Sequence, residues 1–193
     1  MASVAHTDRP SRSTLSTAEA RRETVIASAI EVFAESGYLG TPIAAVADRA
    51  KISSAYVFKL FPGKESLFVA ALDRCFELVE QALERGAAES AEQTPEGILD
   101  AMGGAYAELI ANRSLLMLQV HAQSAVQVAE IRESLRRGIA RVTRYASTRS
   151  GADDAAVQRF IAFGQLCHLI VTMGIETDAA DWARILTAGI RHP

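Results

Sequence analysis

The sequence predicts an all-α chain: a three-helix N-terminal head, joined by a long fourth helix to a larger C-terminal helical body. Three observations predict it. Apolar residues recur at helical spacing in almost every segment, and no stretch alternates with the period of a strand. Cap residues and glycines punctuate those runs where helices should begin and end. Hydrophobic residues make up 49% of the 193 and charged residues 22%, a globular balance with ample material for a buried core.

The elements follow in order. Residues 1–16 read as a flexible arm, without the apolar stretch of a signal peptide. Ser16 and Glu19 fit a capping box for a first helix, whose inner face carries Ile26, Ala29, Ile30 and Phe33 and which stops at Gly37. The second helix is expected to take Thr41 as N-cap and Pro42 as its first residue, with Ile43, Val46, Ala47 and Ala50 buried. Lys51 and Ile52 form a turn, Ser53 caps a third helix ending near Phe61, and Pro62-Gly63 breaks it. A long amphipathic helix then spans about 64–88, and residues 86–97, small and polar, read as a loop. Further helices are expected over 96–111, 115–126, 128–148, 153–173 and 180–190. This divides the chain into an arm (1–16), a head (17–63) and a body (64–193).

Charge is distributed unevenly. Residues 1–65 hold eight Lys and Arg against seven Asp and Glu, whereas residues 66–193 hold twelve against sixteen. All three lysines, Lys51, Lys59 and Lys64, fall within fourteen residues of the head, where flexible cations suit a phosphate backbone. No apolar run approaches the roughly eighteen residues of a bilayer span, so a cytoplasmic protein without membrane contact is expected. No Gly-rich phosphate loop, nucleophile elbow or zinc-protease motif is present, which argues against an enzyme. Cys167-His168 and His121 lack the spacing of a metal site, and neighbouring helical residues point about 100° apart, so no metal or cofactor is expected.

A helix–turn–helix needs small residues where its helices cross, an apolar inner face on the second, and outward groups that reach phosphates and base edges. Ala47 and Ala50, then Val57 and Phe61, then Ser54, Tyr56 and Lys59 meet those needs. The run from Gly37 through KISSAYVFKLFPGKESLF resembles the DNA-binding head of the TetR family of bacterial regulators. The resemblance covers about residues 17–68 and is specific in its F-P-x-K-E-x-L-F ending. It implies that Ser53 caps the recognition helix, that Ser54, Ala55, Tyr56 and Lys59 face the groove, and that Thr41 and Lys64 anchor phosphates. It also implies a homodimer formed through the last two long helices, a double-stranded DNA operator and a small-molecule effector.

Three positions depart from the family pattern. Lys51 stands where glycine is common, which predicts a non-glycine residue in the left-handed region at a cost of about 1 kcal/mol. Phe58 replaces a frequent tyrosine, and Ala44 a frequent polar residue.

In the body, Met102, Tyr106, Met117, His121, Phe160, Phe163, Gln165 and His168 combine apolar bulk with polar handles, as an effector pocket requires. The segments 155–174 and 179–190 are apolar on more than one face, which calls for cover from a partner subunit. The function expected is a ligand-responsive regulator, most often a repressor in this family, that binds a palindromic operator and is released by its effector. The alternative is a helical sensor or scaffold without sequence-specific DNA binding.

Overall fold

The computed structural model describes residues 17–190; the arm and Ser16 lie outside the described residues. Among those described, the chain is helical without strands: α1 (Thr17–Gly40), α2 (Ile43–Arg49), α3 (Ser54–Leu60), α4 (Lys64–Glu89), α5 (Pro95–Ile110), α6 (Arg113–Ser124), α7 (Ala129–Ser150), α8 (Asp154–Met173) and α9 (Asp181–Thr187). A 3-10 turn, Ile175–Thr177, links the last two.

In α1, Ile26, Ala29, Ile30 and Phe33 are all buried. Gly37 kinks the helix, with φ 68 and ψ −179, a conformation that a Cβ would strain. The start of α2 differs from expectation. Its N-cap is Pro42, extended at φ −80 and ψ 148, and not Thr41. The Thr41 side chain turns inward, where its hydroxyl donates to Val32 O at 3.4 Å.

The long helix α4 ends at Glu89, one residue past its expected end, so residues 86–89 are helix and not part of the loop read over 86–97. Gly86 packs so closely on α5 that an added Cβ would lie 2.5 Å from Ala101 O. The connecting loop shrinks to a few residues, and Thr94 caps α5 by accepting from Gly97 N at 3.1 Å. Asn112 and Asp153 cap α6 and α8 in the same way. The last helix is shorter than its apolar run implied: α9 spans seven residues and ends before Gly189, whose φ is 72.

A single apolar cluster runs from head to body, joining Val57 and Phe61 to Phe33, Phe68, Phe76 and Met102. Phe33 and Phe68 meet edge to face, with ring centres 4.8 Å apart. A polar ladder fastens α7 to α4: the Ser134 hydroxyl donates to Asp73 at 2.6 Å, Arg141 pairs with Glu80 at 3.0 Å, and Arg149 donates to Ala87 O at 3.1 Å. The expectation that nothing reaches bilayer dimensions needs correction. By length and a mean hydropathy of 1.3, α8 qualifies, though Arg159 and Gln165 interrupt its exposed side and His168 its buried side, polar groups that hydrocarbon would penalise.

Candidate nucleic-acid interface and effector cavity

The head builds one exposed helix on a braced support. Arg49 of α2 pairs with Glu31 and, at 2.8 Å, with Glu35, both on α1. The turn that follows is closed by Ile52 N donating to Ala47 O at 3.0 Å. Lys51 has φ 56, so the chain turns left-handed there without glycine. Ser53 Oγ then accepts from Tyr56 N at 3.2 Å and starts α3.

Periodicity sorts the residues of α3. Val57 faces inward, fully buried, and packs with Phe61. Ala55, Phe58 and Lys59 are exposed, while Ser54 and Tyr56 are half-buried beside them. Lys59 Nζ lies 6.0 Å from the centre of the Tyr56 ring, within cation–π range. Phe58 is 51% exposed, which sequence reasoning missed by treating the position only as a lost hydroxyl.

Thr41 and Lys64 both find partners inside the head, Lys64 from its expected place at the start of α4. Thr41 is 1% exposed, so its hydroxyl does not reach the surface. Lys64, at the first turn of α4, donates to Thr41 O at 3.2 Å and to Leu39 O at 3.5 Å, with its ammonium 4.7 Å from the Tyr38 ring centre. Tyr38 in turn donates to Glu65 at 2.7 Å. Burial and that carboxylate push the phenol up to about 12. Lys64 therefore ties the loop before α2 to the start of α4.

A cavity of about 270 Å³ lies between α4, α5, α6, α7 and α8. Its walls are mostly apolar, with Phe76, Val79 and Leu83 of α4 facing Leu99, Val142 and Phe160. Of the residues expected there, Tyr106, Phe160, Phe163 and Gln165 line it. His168 stands behind Tyr106, its Nε2 2.6 Å from the phenol oxygen. Burial holds this imidazole neutral, with its pKa lowered to about 4.

The remaining three serve other ends. Met102 is fully buried in the main core. Met117 packs on Ile110, Leu116 and Cys167. His121 abuts the kink of α1, with Nδ1 3.0 Å from where a Cβ on Gly37 would stand. Sequence reasoning missed Gln119, a lining residue only 4% exposed; its one signal was a carboxamide set within the apolar run 115–120. Both cysteines are buried thiols, and burial alone pushes Cys75 up to about 12.

A braced helix–turn–helix continuous with a cavity-bearing helical body defines a DNA-binding transcription regulator. Residues 25–71 match the model of the bacterial regulatory proteins of the tetR family. Over 178 residues, 89% of this chain and 79% of the relative, the chain is 25% identical to the HTH-type transcriptional repressor KstR of Mycobacterium tuberculosis. Over 67 residues, 35% of this chain and 29% of the relative, it is 31% identical to the HTH-type transcriptional regulator HbdR of Aromatoleum sp.. The fold is similar to that of the transcriptional regulator FadR of Bacillus subtilis, solved with stearoyl-CoA. The TM-score is 0.66 at 17% identity, covering 88% of this chain and 99% of that one. The family match over the head, the relatives and the similar folds support a TetR-family regulator, and regulators of that family are non-enzymatic DNA-binding transcription factors. Members of this family bind DNA operators and small-molecule effectors as dimers.

Proposed function

We propose that this chain is a cytoplasmic repressor that grips a palindromic operator as a homodimer and lets go when an apolar effector fills the body cavity. The observation that carries the reading is the outward face of α3, where Ala55, Phe58 and Lys59 stand exposed on a helix whose opposite side is sealed by Val57. Residues 17–63 form the reading head and 64–190 the sensing body. Ala55, Tyr56, Phe58 and Lys59 meet the major groove, with Phe58 offering apolar contact to a thymine methyl. Ser53 and Ser54 sit at the helix N-terminus, where a phosphate is favoured. Thr41 contributes through backbone position and not its buried hydroxyl, and Lys64 through the loop it clamps.

Dimerisation is assigned to the face where α8 and α9 leave Phe163, Leu169, Met173, Trp182 and Ile185 exposed. Apolar side chains gathered in this way call for a covering surface, and a second copy supplies it. Two such heads must lie about 34–36 Å apart to enter successive major grooves. A ligand against Phe76, Val79 and Leu83 bears on α4, whose first residue holds the carbonyls of Leu39 and Thr41. Filling the cavity therefore favours a head spacing that the operator rejects, provided the ligand binds that state more tightly. The stearoyl-CoA of the Bacillus subtilis structure, a ligand with a long apolar chain, supports an apolar effector.

The test is anisotropy titration of a random-sequence duplex at rising salt. Affinity is expected to fall steeply, and Lys59→Ala to lower the log–log slope by about 1 per protomer. Absence of binding at low salt would remove the DNA-reading function.

A further inference from the structure

The deep polar atoms of the cavity converge on one node. Gln119 and Tyr106 both line the space. Gln119 Nε2 donates to Leu115 O at 3.2 Å and to the Tyr106 oxygen at 3.4 Å. The Leu115 carbonyl accepts only, so it fixes which way the carboxamide points. Among the described residues no donor reaches the remaining Gln119 Oε1, and it is not among the sealed polar atoms.

The histidine tautomer decides what Tyr106 has left to offer. His168 Nε2 lies 2.6 Å from the phenol oxygen, and His168 Nδ1 is buried without a partner. A proton on Nδ1 would strand a buried N–H; a proton on Nε2 strands only a lone pair. Orphaned buried N–H groups are the rarer and costlier of the two. Nε2–H therefore donates to Tyr106, whose oxygen already accepts from Gln119. With both lone pairs engaged, the phenol proton is left for the cavity.

We propose that this node selects an effector bearing a neutral hydroxyl at one end of an apolar body, the hydroxyl accepting from Tyr106 and donating to Gln119 Oε1. The inference rests on the cavity being the effector site and adds the chemistry of what enters it. A carboxylate would set its oxygens against Gln119 Oε1 in apolar walls, with the cation Arg159 out at the exposed rim. An ether supplies no proton for Gln119. Of these three groups, the hydroxyl completes both bonds.

Calorimetric titration of the DNA-free protein with n-octanol, heptyl methyl ether and octanoate tests this. The first two have the same number of heavy atoms and differ in the donor. Octanol is expected to bind about tenfold more tightly than the ether, the cost of leaving one buried acceptor unmet, and octanoate more weakly than octanol. Gln119→Leu is expected to erase the octanol advantage, the ether gaining because no acceptor is left unmet and octanol losing its acceptor, and Tyr106→Phe to weaken both ligands. Equal binding of octanol and ether to the unmodified protein, tighter binding of octanoate, no binding by any probe, or an octanol advantage that survives Gln119→Leu would each overturn the proposal. No DNA is present in this titration. Octanol that binds with the stated preference but leaves operator affinity untouched would sink the effector-release reading and spare the ligand selectivity.

Discussion

Lys51 sits at φ 56, a backbone geometry that disfavours any residue with a Cβ. Lys51→Gly removes that strain, partly offset by the greater freedom glycine gives the unfolded chain. A net gain approaching 1 kcal/mol, or about 2–4 °C in Tm at this size, is expected by calorimetry. His168 carries the opposite kind of stress. Its pKa is lowered from 6.5 to about 4 by burial, so between those values the unfolded chain holds more protons. Stability is therefore full above about pH 6.5 and is lost as pH falls toward 4, by roughly 3 kcal/mol for a shift of this size. Urea midpoints at neutral and acid pH check this, and His168→Gln should flatten that part of the profile. At this scale the sequence was legible where a residue bonds locally. Ser53 caps its own helix, and Lys51 follows from the turn it occupies. Thr41 was misread because an extended Pro42 takes the cap position, freeing the threonine hydroxyl for a carbonyl nine residues back.

Helix-to-helix distance is set by glycines that face a neighbour. A Cβ on Gly138 of α7 would lie 2.2 Å from the Phe76 ring of α4. On Gly164 of α8, the nearest atom is Tyr106 Cε1 at 3.8 Å, an ordinary contact. Gly138→Ala is expected to cost about 1–3 kcal/mol by overpacking. Gly164→Ala should be neutral or stabilising by up to about 1 kcal/mol through helix propensity. Urea unfolding of the pair separates packing from propensity. Eight of the helices lie close to where periodicity and caps put them, because caps act within one turn of the helix they begin. The ends that moved were decided by tertiary contact. Residues 86–88 read both as the end of the long helix and as loop, and the close fit of Gly86 against Ala101 goes with the helix.

Across the whole molecule, head and body share one apolar core, so motion of α4 is felt at both ends. The polarity of its outer surfaces differs by helix. The outward side of α7 carries Arg132, Arg136, Arg137 and Arg144, whereas α8 and α9 expose Leu169, Met173 and Ile185. Leu169→Arg is expected to yield monomers in sedimentation velocity and to lose operator affinity while keeping its helical circular dichroism. The cavity was the least legible feature. Helical period marks an inward face, but a void is the space five helices leave between them. Met102 and Tyr106 both point inward, yet one fills the core and the other borders the opening.

The two sulfhydryls give the protein a practical property. The chain has only these two, Cys75 sealed in the main core and Cys167 buried where it borders the cavity. A thiol placed at exposed Ala27 on α1 would be the one surface target for a nitroxide reagent. In a two-fold assembly, one such tag per protomer yields a single dipolar distance, and that distance tracks the gap between the two heads.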